Sequence, residues 1–430
     1  MKQLISIALL HTVSIAPMLG QSNEDQAVIV RSVRVEGNET TEDFVILREM
    51  GNVPGDTLDL GRLKYDENRI YSLGLFNRVE IEHSTEGDQA DLLVRVHERW
   101  YFYPFPVLGI KYGKLANAFY GLGVVHTNFR GRNERLLFEF ALGFDRWVRL
   151  IYQTPRLTKD DDIYFRGSLS LARVQNLNPD RGLYQQRTYG GQVNFGKRFG
   201  LYRLFQITGG YEVWEVSNAI SGGTLTPGGR DEFFNTGLNY TYDSRDVREY
   251  PTDGVLLNLV ATKYGFGGSM VDFLRYGAET NVFVQLSSDV TIAGRAHGQF
   301  SAGGPVPSYR YVYFGYGDRI RGYFGRVLEG ENRVGGSVEL RVPLLLPRYY
   351  EFPYSPLPQF SLWRYGLYAG IFADFGKAWF RKEGFSGRHW YSGFGAGLHF
   401  LLPYSLVVRA ELAVNPEWEA EFILDTGVSF

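Results

Sequence analysis

Residues 234–243 read FNTGLNYTYD, with mostly apolar or aromatic residues at every second position and polar residues or glycine between them. The same alternation returns at residues 337–342 and 367–376. A period of two places successive side chains on opposite faces of a β-strand. The alternating segments run about ten residues, enough to cross a membrane at a tilt, whereas strands of soluble sandwiches run about five or six. The pattern therefore favours a transmembrane β-barrel.

The amino-acid composition excludes several classes of protein. The 430 residues include 45 Lys and Arg against 47 Asp and Glu, a net charge of −2, so the chain carries no charge signature of nucleic-acid binding. Aromatic residues make up 16% of the chain and 51 residues are Gly, which suits many strands and turns. Mean hydropathy is −0.20 and no apolar run of about 18 residues follows the N-terminal segment, which excludes a helical membrane protein. The absence of cysteine excludes disulfides, thiolate zinc sites and cysteine nucleophiles.

The N-terminal residues 1–20 are typical of a secretory signal peptide. A short positive start at Met1 and Lys2 precedes an apolar segment at residues 4–10 and small residues near position 20. The alternative is a buried core helix, which Pro17 would break. We therefore expect export across the inner membrane.

Residues 27–99 predict a small α+β domain. Alternating valines indicate a strand at 27–36, and two helices are expected at 40–50 and 59–72, the second from its spacing of leucine and isoleucine. Two strands follow at 78–83 and 91–97. The order strand, helix, helix, strand, strand in about 70 residues is that of one compact domain.

Residues 100–430 predict about 16 strands, an even number suited to an outer-membrane barrel. Long Gly-, Asn- and Pro-rich connections, such as 302–333, alternate with tight turns, such as 199–201, which places extracellular loops at one end and periplasmic turns at the other. The small domain then lies on the periplasmic side. The Pro-rich stretch 343–358 departs from this rule, because it predicts a long connection where a short turn is expected.

The last strand, at 419–430, alternates up to the terminal Phe430. A C-terminal aromatic residue on such a strand is similar to the terminal signal by which outer-membrane barrels are recognised for insertion. A terminal Phe alone is weak evidence of such a signal, and the alternation before Phe430 strengthens it.

Four motifs in order resemble the outer-membrane barrel-assembly superfamily, also called the bacterial surface antigen family. DSRD at 243–246 with YPTDG at 250–254 resembles its D-x-R-D … P-x-x-G turn, and GDRIRGY at 317–323 resembles its R-G-F/Y loop tip. ELRVP at 339–343 and FADFG at 372–376 are similar to its E-x-R-x-P and F-x-D-x-G strands. The resemblance implies one polypeptide-transport-associated (POTRA) domain at 27–99 and a 16-stranded antiparallel transmembrane β-barrel at 100–430.

Alternation alone directs Glu339 and Asp374 into the barrel lumen, where two carboxylates need cationic partners. The family pattern implies that Arg321 supplies them, with Gly322 allowing a close approach and Tyr323 packing nearby. The alternative is an ordinary solvated loop arginine. For the turn residues we expect a structural role, with ion pairs and Asx turns; these residues are Asp243, Arg245, Asp246, Pro251 and Gly254.

The resemblance implies a protein assembly factor of the outer membrane of a Gram-negative-type bacterium, with the POTRA domain in the periplasm. It would receive unfolded outer-membrane proteins through that domain and template their strands at a lateral seam of the barrel. The expected partners are these clients, outer-membrane lipid and accessory assembly subunits, without nucleic acid. A dedicated protein translocation or secretion pore of the same superfamily is the alternative, followed by a passive porin.

No enzymatic activity, cofactor or metal is expected. The sequence contains neither a G-x-S-x-G motif around a serine nor an H-E-x-x-H pair. His83 and His97 fall in the small domain, and three further histidines fall on predicted strands.

Overall fold

The computed structural model describes residues 27–158, 161–178, 180, 182–216, 223–287, 289–315, 318–323, 326–386 and 389–427. The predicted signal peptide at 1–20 and the terminal Phe430 lie outside these residues. No helix in the described ranges is long and apolar enough to span a membrane.

The N-terminal domain has the predicted order of elements: β1 (Ile29–Glu36), α1 (Asp43–Leu47), α2 (Leu60–Tyr71), β2 (Phe76–Glu86) and β3 (Gln89–Glu98). The sheet order is β1-β3-β2, with β1 parallel and β2 antiparallel to the central strand. Asp59 caps α2, because its side chain accepts from the backbone N–H of Arg62 at 3.1 Å. Helices and sheet enclose a core that includes Ile46, Ile70 and Leu92, all fully buried.

Sixteen longer strands follow and form one antiparallel sheet, as predicted. In chain order the strands are β4 (Phe102–Ile110), β5 (Ala118–Phe129), β6 (Glu134–Gly143), β7 (Arg146–Thr154), β8 (Ile163–Gln175), β9 (Gln185–Phe199), β10 (Arg203–Val216), β11 (Arg230–Asp243), β12 (Gly254–Tyr264), β13 (Phe273–Ser287), β14 (Val290–Gly303), the short β15 (Val312–Phe314) and β16 (Leu328–Gly330), then β17 (Asn332–Glu351), β18 (Leu362–Trp379), β19 (Tyr391–Leu402), β20 (Leu406–Val414) and β21 (Ala420–Thr426). Strands β15 and β16 pair only with each other, and β14 pairs with β17. The sheet ends at β4 on one side and β21 on the other.

The sheet is curved, so that turns from distant strands meet the N-terminal domain. Asn128, after β5, donates to the Thr41 hydroxyl at 2.9 Å, and Arg99 donates to the Ser405 hydroxyl, after β19, at 3.0 Å. In the sheet order β5 and β19 are twelve strand spacings apart, which would be about 58 Å in a flat sheet. A domain of about 70 residues has a radius of gyration of only about 11 Å. Both ends of the sheet must therefore bend toward the same domain.

The alternation predicted from the sequence separates an apolar outer face from a polar interior. On β18, Ile371 and Phe375 are exposed, whereas Phe372 and Asp374, which lie between them in the sequence, are buried. Many other large apolar side chains are exposed along the strands, including Leu238, which is 50% exposed. A contiguous apolar outer wall of this kind belongs against lipid.

The stretch 343–358 differs from the prediction. Strand β17 continues through it to Glu351, and its pairing with β18 shifts register between Pro343 and Leu345 and again between Leu345 and Arg348. Proline lacks the N–H that a ladder needs but has a dihedral angle compatible with an extended chain. The prolines therefore produce irregularities in the pairing instead of ending the strand, and the connection shortens to residues 352–361.

A buried glutamate joins the domain to the barrel. Glu49, after α1, accepts from Arg69 of α2 at 2.7 Å and from Arg198 at the end of β9 at 2.9 Å. Arg69 also donates to the Leu201 carbonyl in the β9–β10 turn at 2.8 Å. Burial alone would raise the pKa of the Glu49 carboxyl, but the hydrogen bond from Arg198 and the charges of both arginines lower this pKa to about 2.

We predict that Glu49→Gln loosens the domain from the barrel by about 3–5 kcal/mol, because buried Arg69 and partly buried Arg198 lose their counter-ion. In the wild type the lowered pKa means that the contact is fully present above the ordinary value of 4.5 and is lost as the pH falls toward about 2. Hydrogen exchange of the backbone amides of α1 and α2, at neutral and acidic pH, measures the loosening.

Glu80→Gln serves as the matched control, since Glu80 pairs with Arg78 on the exposed surface of β2. Such surface pairs contribute about 0–1 kcal/mol. Equal protection of α1 and α2 in the Glu49 and Glu80 variants would contradict the role given to Glu49.

Candidate functional site

The connection between β14 and β17, residues 304–331, folds back into the lumen. Near its start, Arg310 pairs with Glu212 of β10 and Tyr309 stacks on Trp214 with ring centroids 4.4 Å apart. Further along, Arg319 donates to Asp425 of β21 at 2.7 Å. One loop thus contacts strands that lie nine spacings apart in the sheet, so it spans the interior of the curled wall.

Arg321 lies at the centre of these contacts and is 5% exposed. Its Nε and Nη2 donate to the two oxygens of Asp374 at 2.7 Å each, and its backbone N–H donates to the same carboxylate at 3.1 Å. Its Nη1 donates to Glu339 at 3.1 Å and to Glu411 at 2.9 Å. The guanidinium stacks on Phe372, with Cζ 3.4 Å from the ring centroid. The planar guanidinium thereby joins β17, β18 and β20.

The cluster around Arg321 is balanced in charge. Arg341 donates to the second oxygen of Glu339 at 2.7 Å, and Arg409 donates to both oxygens of Glu411 at 3.0 and 3.1 Å. Three arginines therefore face three carboxylates, all with side chains at most 7% exposed. Burying any of these charges without partners would cost several kcal/mol. We call this set the lumen network: Arg321, Arg341, Arg409, Glu339, Asp374 and Glu411.

A histidine connects the network to the β11–β12 turn. Fully buried His399 of β19 places Nε2 3.3 Å from Glu411 and Nδ1 2.8 Å from the Tyr250 hydroxyl. Arg341 lies over the Tyr250 ring at 4.5 Å and donates to the Pro251 carbonyl at 3.3 Å. The turn therefore closes the network from the periplasmic end, opposite the loop.

The remaining turn residues hold the turn itself. Asp243 accepts from Arg245 at 2.8 Å and from Arg248 at 3.2 Å, and Asp246 accepts from the backbone and the hydroxyl of Thr252 at 2.9 and 2.6 Å. Gly254 starts β12 with φ +103°. These contacts are of the ion-pair and turn type.

Two glycines let the loop lie against the wall. Gly322 has φ +100°, which side-chain-bearing residues rarely adopt, and its N–H donates to Glu421 of β21 at 2.6 Å. A Cβ on Gly393 of β19 would stand 1.9 Å from the Arg321 carbonyl oxygen. The Tyr323 hydroxyl donates to Glu417 at 3.3 Å. The loop is thus tied to the β20–β21 hairpin as well as to the network.

The structure brings Arg321 together with Glu339 and Asp374, and it adds three residues that the sequence did not single out. These are His399, Arg409 and Glu411, on β19 and β20. Alternation in the sequence could have shown that these three residues face the lumen. Leu398, Phe400 and Leu412 are exposed on the outer face, so the residues next to them in each strand point inward. Alternation gives the face of each residue but not which inward residues meet across the lumen.

Glu339, His399 and Glu411 are also the one group in the described residues with ligand atoms close enough to hold a metal ion, all within 4.8 Å of one another. Both carboxylates already accept from arginines. A cation there would have to compete with three guanidinium groups, so the group is better suited to an ion network than to metal binding.

Comparison with known proteins gives the class of this fold and site. Residues 128–421 match the Omp85 superfamily domain, and residues 28–99 match the POTRA domain described as the surface antigen variable number repeat. The chain belongs to the Omp85 superfamily.

Two curated relatives carry the name outer membrane protein assembly factor BamA. The protein of Nitratidesulfovibrio vulgaris is 26% identical over 336 residues, 73% of this chain and 40% of the relative. The protein of Neorickettsia risticii is 24% identical over 348 residues, 74% of this chain and 45% of the relative. The chain spans less than half the length of either relative.

Solved structures share the fold. BamA from Haemophilus ducreyi lacking POTRA domains 1–3 aligns with a TM-score of 0.56 and 19% identity, covering 93% of this chain and 84% of that one. CdiB from Escherichia coli aligns with the same TM-score and 13% identity, covering 94% and 76%. At these identities the likeness establishes the fold alone.

We predict that Arg321→Ala destabilises the barrel by about 3–5 kcal/mol, because Asp374 is left buried without a cation. The unfolding temperature in detergent, followed by the heat-dependent shift of the folded band on gels, measures the loss. Arg326→Ala in the same loop is the control, since Arg326 and Glu419 form an exposed pair with side chains 51% and 57% exposed. Heat resistance equal to that of the control would remove the structural role of Arg321.

A second prediction concerns the contact rather than the charge. Gly393→Ala should displace the loop, because the new methyl group overlaps the Arg321 carbonyl. We expect a lower unfolding temperature and faster protease cleavage within 304–331. Gly209→Ala is the control, since a Cβ there meets nothing within 4 Å. Identical cleavage rates in the two variants would show that the loop does not depend on this close approach.

Proposed function

We propose that the chain is an assembly factor for outer-membrane proteins, with residues 27–99 as a periplasmic POTRA domain and residues 100–430 as a barrel in the outer membrane. Unfolded clients would meet the POTRA domain first and then pair with the barrel at the seam between β4 and β21. The expected partners are these clients, outer-membrane lipid and accessory assembly subunits. The names of the two curated relatives support this proposal.

The seam is the observation that carries the proposal. In the described ranges no backbone hydrogen bond joins β4 to β21, whereas every other neighbouring pair of the sixteen strands forms a ladder. Backbone groups without partners are costly in lipid. An open edge at this depth is a place where a further strand gains hydrogen bonds on arrival.

The N-terminal domain supports the same function. It contacts the periplasmic turns, and Asn77 adds a hydrogen bond to the Gln359 carbonyl after β17 at 2.6 Å. Its outer strands β1 and β2 are edges of a three-stranded sheet. An extended client segment could add to such an edge close to the barrel entrance. We propose no catalytic step, since transfer of apolar strands from water to lipid is itself favourable.

A dedicated translocation pore is the second candidate, and one observation favours it. The half of the lumen away from the network contains a cavity of about 410 Å³ lined mainly by small hydroxyl, amide and glycine residues, such as Ser168, Thr188, Gln192 and Asn239. Such a lining can hydrogen-bond to water or to an extended polypeptide.

Depletion of the protein distinguishes the two candidates. An assembly factor should, on depletion, lower the amounts of many β-barrel proteins in the outer-membrane proteome, because all of them depend on one seam. A translocation pore should affect one or two exported proteins. Wild-type protein supplied in trans is the control and should restore the proteome, and an unchanged proteome on depletion would contradict both candidates.

A further inference from the structure

A second cavity lies between the N-terminal domain and the periplasmic ends of the barrel strands. Its volume is about 450 Å³, which is within the usual range for pockets that bind small molecules. The domain contributes the end of α1 and the residues after α2, and the barrel contributes the β5–β6 turn and the ends of several strands from β6 to β11.

The side chains around this cavity are unbalanced in charge. Its two carboxylates are Glu49 and Asp243. The arginines that line it are three times as many: Arg48, Arg132, Arg135, Arg198, Arg203 and Arg248. A cleft lined mainly by one sign of charge concentrates the opposite ion. We call this set of residues the arginine cavity.

Both carboxylates of the arginine cavity are already shared between two arginines each. Glu49 accepts from Arg69 at 2.7 Å and from Arg198 at 2.9 Å. Asp243 accepts from Arg245 at 2.8 Å and from Arg248 at 3.2 Å. Neither carboxylate therefore balances the remaining arginines of the lining.

Arg48, at the end of α1, is the domain's unbalanced cation. Its side chain is 11% exposed, and its nearest carboxylate oxygens, on Asp162 and Glu49, lie at 3.6 and 3.8 Å, too far for hydrogen bonds. Its Nε is buried without a hydrogen-bond partner. Burial and the neighbouring charge of Arg198 lower the pKa of Arg48, so the protein disfavours its charged form unless an anion is near.

Arg135, at the start of β6, is the corresponding cation of the barrel wall. It is on the same face of β6 as buried Leu137, so it points into the lumen. Among the described residues its side chain forms neither a hydrogen bond nor an ion pair. It lines the arginine cavity together with Arg48. One unbalanced guanidinium group thus comes from each side of the cavity.

The shape of the guanidinium group indicates which anion fits. Its planar fork of N–H donors matches phosphate or carboxylate oxygens in pairs. A carboxylate has two oxygens in one plane, whereas a phosphate has oxygens in several directions and can accept from arginines on opposite walls. The rest of the lining is apolar or aromatic and leaves room for an organic group: Val45, Leu73, Tyr164, Leu201, Tyr202 and Leu204.

We propose that the arginine cavity is a binding site for a phosphate group, held by Arg48 of the domain and Arg135 of the barrel. The bound phosphate ties the domain to the barrel, because a ligand that binds only when both walls are in place stabilises that arrangement. Free phosphate and the phosphate ester of a lipid headgroup share this chemistry. The inference goes beyond the proposed function, since it requires no client protein.

Calorimetric titration of the full chain in dodecyl maltoside, in a phosphate-free buffer, tests the binding. Inorganic phosphate is the first probe, and we expect saturable binding of a single phosphate per chain. Arg135→Gln should weaken the binding by about tenfold or more, because a charged hydrogen-bond donor is lost. Arg48→Gln added to Arg135→Gln should abolish it. The heat-dependent shift on gels shows that each variant is folded.

Arg34→Gln with Arg187→Gln is the matched control. It also removes one arginine from the domain and one from the barrel, and both of these arginines are exposed outside the cavity. We expect wild-type affinity in this control. An equal loss in the control and in the cavity variant would mean that phosphate follows net charge alone, and it would overturn the site.

Glycerol 3-phosphate, as the second probe, distinguishes the two sources of phosphate. Binding about tenfold tighter than that of inorganic phosphate would assign the site to a phosphate ester such as a lipid headgroup. Equal or weaker binding would assign it to free phosphate. If neither probe binds, the proposal is wrong.

Hydrogen exchange tests where the phosphate lies. At about ten times the dissociation constant, the backbone amides of residues 45–50 should exchange about tenfold more slowly, because the domain must release the ligand before it leaves the barrel. Chloride at the same ionic strength is the control and should have no such effect. Phosphate binding without slower exchange would contradict a site that joins the two walls.

Discussion

The guanidinium of Arg321, placed between carboxylates from three strands, is the interaction on which the barrel interior depends. Asp374, Glu339 and Glu411 come from β18, β17 and β20 and are buried together. Like charges at this separation cannot all stay ionised without cations between them. Arg341 and Arg409 supply two of the cations from the wall itself, and only the loop supplies the third. The loop therefore supplies a charge that the buried carboxylates of the barrel wall require.

Contacts continue from this network to the N-terminal domain without a gap. His399 joins Glu411 to Tyr250 in the β11–β12 turn. In the same turn, Glu249 accepts from the Tyr71 hydroxyl of α2 at 3.1 Å. The extracellular loop, the lumen network, a periplasmic turn and the domain thus form one packed series. Contiguity alone is not coupling, but it means that the loop cannot leave without exposing groups that the turn also contacts.

The sequence was enough to predict the architecture because each strand shows its own alternation of apolar and polar residues, independent of its neighbours in the sheet. Ile371, Phe375 and Leu238 reveal their face from immediate neighbours, and sixteen such segments suffice to predict the sheet. The lumen network required more, since the partners of Arg321 lie on strands up to 90 residues away. The family motifs pointed to Glu339 and Asp374. Nothing in the local pattern indicated that Glu411 and His399 meet the same arginine, because that follows from barrel curvature and register.

In the stretch after Pro343, a local sequence signal predicted the wrong structure. Proline is a strong signal for a loop, and five prolines within 343–358 predicted one. In the structure β17 continues to Glu351 at the cost of two register shifts, because pairing with β18 resumes beyond each irregularity. The β17–β18 hydrogen bonds on either side of each irregularity stabilise the strand more than the missing proline N–H groups destabilise it.

The same chemistry of proline acts differently at the seam. An N–H that faces lipid without a partner is costly, and an edge strand in a membrane carries one at every second residue. The Thr127 N–H donates to the Tyr101 carbonyl at 2.9 Å, so odd-numbered residues of β4 bond to β5, and Pro104 and Pro106 face the seam. These two prolines remove two such donors from β4, so this edge costs less to leave open than an edge with a full set. Strand β21 contains no proline, and its Thr426 N–H has a partner of its own in the Asp425 carboxylate at 2.9 Å.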